Sequence, residues 1–151
     1  LIGVVNVGAS NMGTADVLVP VRFLTMLGHF LAVLLQLFSR HDNLLVGLRF
    51  NYSEDEYASA ENNYYICIWL TIACLLGTAL GFFLGFSMFD TTLSLLHIVC
   101  HCAGGLLLCI IVIQKAHYGY SWLVFPFFSV FPVVCELCGI ASVLVLKKRR
   151  W

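Results

Sequence analysis

The chain has 151 residues, of which eight are basic and eight acidic, so the formal net charge is zero while 61% of the residues are apolar or aromatic. Charged residues make up 11%, against about 25% in soluble domains. Uncharged runs exceed the roughly 18 residues that cross a hydrocarbon core as one helix. The composition reads as an integral membrane protein and excludes a soluble globular enzyme, a disordered tail, a nucleic-acid module with its basic face and any sizeable extramembrane domain.

In chain order, residues 1–17 read as an N-terminal tail. Leu1 to Asn11 has no basic segment of the kind that opens a signal peptide, and Met12 reads as the biological start, which makes residues 1–11 extraneous or disordered. The first apolar stretch, Phe23 to Ser39, predicts a helix near 18–38, with Arg22 and Arg40 snorkelling at its two ends and His29 inside it. Residues 39–64 follow as a loop in which two basic residues, Arg40 and Arg49, face five acids, Asp42, Glu54, Asp55, Glu56 and Glu61. Its Asn51-Tyr52-Ser53 triplet is a glycosylation acceptor pattern, so Asn51 is the modification candidate. Asn51 to Glu61 reads as solvated and without structure of its own.

The second helix is expected near 65–86. Gly77, Gly81 and Gly85, four apart, share one face and admit a neighbouring backbone closely. We read them as packing within the bundle, with self-association into a homo-oligomer as the other use of the same face. After a short connection, the third helix is expected near 92–113, with His97, Cys100-His101-Cys102 and a notch at Ala103, Gly104 and Gly105. The fourth is expected near 122–146, kinked by Pro126 and Pro132. It carries Cys135-Glu136-Leu137-Cys138. Residues 147–151 form a basic tail. The fold class is therefore all-α, a four-helix transmembrane bundle over residues 18–146. Lys147, Lys148, Arg149 and Arg150 beside the last span set the topology, with both termini cytoplasmic and the loop 39–64 outside.

Glu136 lies well inside an apolar stretch, at a cost of about 2.5–3.5 kcal/mol if charged and unpaired. It must face protein, with His29, His97 and His101 as candidate partners. We read it as a satisfied interhelical bond that fixes register, because one acid and a few histidines lack the repeated polar stripe of a transport path. The alternatives are a four-helix membrane thiol-redox enzyme or a proton-linked carrier using Cys135, Cys138 and Glu136. A redox enzyme of the vitamin K epoxide reductase type would also place a cysteine pair in the external loop, where there is none. Cys135, Cys138, His101 and Cys102 are suitable metal-ligand types, yet thiols in an apolar span are usually small hydrophobes. No catalytic, metal or cofactor site is assigned.

The run Met12-Gly13, Leu18-Val19-Pro20-Val21-Arg22-Phe23-Leu24-Thr25 and His29 resembles the opening of the transmembrane protein 107 family. The resemblance continues through Glu56-Tyr57, Gly81-Phe82, Gly85-Phe86-Ser87-Met88-Phe89, Ser94-Leu95 and His101-Cys102. It closes with Trp122, Ser129, Pro132, Glu136 and the basic tail. The Cys135/Cys138 pair and His97 fall outside the family pattern. The resemblance implies a non-enzymatic scaffold of the ciliary transition-zone membrane that recruits proteins of the Meckel/Joubert module, including tectonic-type, B9-domain and other small multispan proteins. It implies roles in cilium assembly, ciliary membrane composition and Hedgehog signalling, with membrane lipids and those proteins as partners and no nucleic acid.

Overall fold

The computed structural model describes the backbone of residues 2–85 and 90–145 and the side chains of residues 16–85 and 90–142. The tail residues Lys147, Lys148, Arg149 and Arg150 and the connection 86–89 lie outside the described residues. Six α-helices follow in order: α1 (Ile2–Phe38), α2 (Arg40–Gly47), α3 (Glu54–Phe83), α4 (Thr91–Ile113), α5 (Gly119–Phe125) and α6 (Phe131–Val145), with a π-turn over Pro126–Val130 joining the last two. Four stretches are long and apolar enough to cross a membrane: Asp16–Phe38, Glu54–Phe83, Thr91–Ile113 and Gly119–Ser142. The four-helix transmembrane bundle expected from the sequence is the fold observed.

The helix bounds differ from those expected in ways with physical causes. α1 is helical from Ile2, not Leu18. The loop 39–64 is mostly helix. α2 occupies its first part, and α3 begins at Glu54 instead of near residue 65. The start of α3 is a capping box: Ser53 Oγ accepts from the Glu56 N–H and Glu56 Oε2 accepts from the Ser53 N–H, each at 3.2 Å. Glu54, Asp55 and Glu56 then lie in the first turn, where carboxylates meet the positive end of the helix dipole. The acids that made this segment look like solvated loop are the residues that start the helix. Asn51 stays in the exposed connection before it.

The fourth span bends where expected, but by widening. The Phe131 N–H donates to the Pro126 carbonyl five residues back, the bond of a π-turn. Pro132 has no N–H to give and its ring crowds the carbonyl four residues earlier, and the wider turn relieves that clash.

The spans do not pack as successive hairpins. The most extensive contact is between α1 and α4, the first and third spans, which run parallel, since His29 meets His101 while Asn43 meets Ile111. Gly104 and Gly105 permit this. A Cβ on Gly105 would lie 3.2 Å from the His29 Cα, and one on Gly104 would lie 2.8 Å from His29 Cε1 and 2.7 Å from Phe128 Cβ. The apolar core around this seam includes Val33, Leu44, Tyr64, Ile68, Leu75 and Leu108.

At the end of the bundle carrying α2, α4 closes in a Schellman motif. The Ala116 N–H donates to the Ile111 carbonyl and the Lys115 N–H to that of Val112, with Lys115 in the left-handed conformation that glycine usually takes. Asn43, wholly buried, donates Nδ2 to the carbonyls of Ile111 at 3.0 Å and Ala116 at 2.8 Å. Asn43→Leu leaves both carbonyls without this donor and is expected to cost about 1–3 kcal/mol, read as a lowered midpoint of thermal unfolding in detergent.

Candidate functional site

The charged centre of the bundle is built by three spans. Arg22 Nη2 lies 2.9 Å from Glu136 Oε2, and the two side chains are 1% and 2% exposed. His97 Nε2 lies 3.1 Å from the same oxygen, within ion-pair reach but not aligned as a hydrogen bond. The Arg22 guanidinium also stands 5.2 Å from the centre of the Phe82 ring, a cation–π contact of the kind favoured when the cation is desolvated. α3 contributes space. A Cβ on Gly81 would meet Glu136 Oε1 and lie 2.6 Å from its Cγ and 2.8 Å from its Cδ. Gly81 is thus the notch that seats Glu136.

This arrangement corrects two expectations. Arg22 does not snorkel to the surface but is buried as the ion-pair partner of Glu136. Of the three histidines considered as partners, His97 contacts the carboxylate, while His29 and His101 meet each other, Nδ1 to Nδ1 at 3.2 Å. One of these two nitrogens carries the proton and donates to the other. The rings of His97 and His101 stack with centroids 5.7 Å apart, linking the two polar groups.

Of the three glycines, Gly77 and Gly81 both pack against the fourth span; a Cβ on Gly77 would lie 3.3 Å from Val133 Cγ2. A Cβ on Gly85 would meet nothing within 4 Å among the described residues. Gly85 follows the C-cap Leu84 with φ of 78° and its N–H bonds the Phe82 carbonyl, so its role is to end α3 in the left-handed conformation. Toward the α2 end, Gln36 Nε2 donates to Ser121 Oγ, and Tyr64 is buried beside them.

All seven cysteines are free thiols. Cys135 and Cys138 line a groove of about 450 Å³ with Asp90, Thr92 and Ser142, on the outside of the bundle. His101 is buried at its centre and Cys102 is exposed, so the four residues weighed as metal ligands are not brought together. Among the described residues no three His, Cys, Asp or Glu side chains are grouped to hold a metal ion.

The model of the family described as TMEM107, a transmembrane protein, matches residues 18–140. The chain belongs to the transmembrane protein 107 family. Transmembrane protein 107 of Mus musculus is 35% identical over 138 residues, covering 91% of this chain and 99% of that protein. The Rattus norvegicus protein is 34% identical and the Homo sapiens protein 31% identical over the same coverage of both chains. No solved structure matches the chain. The matched region takes in Arg22, His29, Gln36, Gly81, His97, His101 and Glu136, so the ionic centre and the notches that seat it lie within the family's domain. With four apolar spans, the family member is an integral multi-pass membrane protein.

Sequence reasoning missed Arg22, Gln36 and Asn43 as interior groups, yet a signal was available. Arg22, His29, Gln36 and Asn43 recur every seven residues, the spacing that keeps side chains on one face of packed helices.

Proposed function

We propose that this protein is a non-enzymatic scaffold of the ciliary transition-zone membrane. In this reading it recruits proteins of the Meckel/Joubert module and supports cilium assembly, control of ciliary membrane composition and Hedgehog signalling. Membership of the transmembrane protein 107 family over most of the chain carries the reading. The architecture supports it: the charged groups of the spans described above turn inward and satisfy one another, which leaves broad apolar outer faces for lipid and for partner spans. Partner contacts would fall on those faces and on the acidic segment from Arg40 to Glu61, which with Asn51 lies outside the cell if both termini are cytoplasmic. A tagged copy expressed in ciliated cells tests the proposal. It is expected to concentrate at the cilium base and to restore cilium number in cells lacking their own family member. Uniform reticulum or plasma-membrane signal without rescue contradicts it.

A further inference from the structure

Arg22, His29 and Gln36 on the first span and Asn43 on α2 beyond it form a column of buried polar residues, each 2% exposed or less. The 14 steps from Arg22 to Gln36 rise about 21 Å at 1.5 Å per residue, about two thirds of a hydrocarbon core about 30 Å thick, and Asn43 continues the column on the next helix. Other elements answer at matching heights. Glu136 and His97 meet Arg22. His101 meets His29, with buried Ser129 two turns from Glu136 along the fourth span. Ser121 meets Gln36, and the carbonyls of Ile111 and Ala116 meet Asn43. This is the repeated polar stripe that the sequence reading found lacking.

A structural role for buried polar groups is register, and one satisfied pair achieves that. This column goes further, because six buried polar atoms in it or on the helices that pack against it have no hydrogen-bond partner among the described residues: Ser94 Oγ, His97 Nδ1, His29 Nε2, His101 Nε2, Ser129 Oγ and Asn43 Oδ1. Buried polar atoms without protein partners are met by ordered water, and here they lie at three of the four heights.

We propose that this column is a proton path along the bundle axis, with His97, His101 and His29 as carriers and internal waters between them. An imidazole takes a proton on one ring nitrogen as an N–H bond forms, and the N–H on its other nitrogen breaks to pass a proton onward. The ring ends neutral, nothing is oxidised or reduced, and a counter-ion crossing elsewhere balances the charge moved. The titratable and charged groups that face these rings are Glu136 on the fourth span and Arg22 on α1 beside His97, and the histidines themselves, His29 on α1 against His101 on α4 and His97 stacked on His101. Among the described residues the column is packed without a continuous lining of carboxylates or carbonyls that could replace the hydration shell of a metal cation, whereas protons need only hydrogen-bonded groups and waters.

The test is the full chain reconstituted in vesicles holding a pH-sensitive dye, with a potassium gradient and valinomycin supplying the driving force. Proton entry is expected to be at least tenfold faster than in protein-free vesicles, with no sodium flux, and Gln36→Leu is expected to return it to the protein-free rate. Native rates equal to those of empty vesicles, or unchanged by Gln36→Leu in folded protein, overturn the proposal. A second measurement needs no variant. Solid-state NMR of the ¹⁵N-histidine-labelled chain in the same vesicles should show water-to-imidazole proton exchange at His29 and His101, and its absence overturns the proposal equally. The proposal is independent of the scaffold reading.

Discussion

Arg22→Met is expected to destabilise the bundle by about 3–5 kcal/mol, the range for removing one partner of a buried ion pair and leaving the other uncompensated. Glu136 Oε2 would lose the guanidinium at 2.9 Å, with His97 Nε2 still at 3.1 Å, in surroundings that penalise an ionised carboxylate. Glu136→Leu is expected to do comparable damage from the other side by taking the carboxylate away from the buried guanidinium beside Phe82. Both are read as loss of the thermal transition in detergent and of steady-state abundance in cells. By contrast, charge removal at the exposed Lys115–Asp42 pair, 2.9 Å apart, is expected to change stability by less than about 1 kcal/mol, because solvent screens it.

Gly81→Leu is the second large effect. Moving Glu136 aside would break its contacts with Arg22 at 2.9 Å and His97 at 3.1 Å, so an added side chain either breaks the ion pair or separates α3 from the fourth span. The cost begins at the roughly 1–3 kcal/mol of overpacking and rises toward that of the broken ion pair. Gly28, with nothing within 4 Å of an added Cβ, supplies the contrast: Gly28→Ala is expected to leave the thermal midpoint unchanged or slightly raised. Equal tolerance at Gly28 and Gly81 in a thermal-shift measurement would contradict the notch assignment.

The spans were legible because hydropathy and charge spacing respond to the bilayer, which acts on every residue alike. Glu136 was legible for the same reason, as a charge where the bilayer disfavours one. Arg22 was misread because it sits one position before the apolar run, where snorkelling is the ordinary solution. Its burial depends on α1 extending well beyond that run and on Gly81 opening the space opposite, neither of which local hydropathy encodes. The glycine triplet was legible as a pattern, but spacing alone does not distinguish Gly81, inside α3 against Glu136, from Gly85, just past its end. The Ser53 to Glu56 capping box was readable and was masked by the acidity of its surroundings. The parallel seam of first and third spans was not legible. It depends on His29 finding the notch at Gly104 and Gly105, a tertiary match between residues far apart in the chain.

The central structural claim is that Arg22 and Glu136 act as one unit joining the first and last spans. A double-mutant cycle of Arg22→Met and Glu136→Leu, followed by chemical unfolding in detergent, tests it most directly. The double variant is expected to recover most of the stability that either single variant loses, stopping short of the native value because His97 has lost the carboxylate beside it. With each single loss at about 3–5 kcal/mol, the resulting coupling exceeds about 4 kcal/mol. Additive losses, with coupling near zero, would contradict the account.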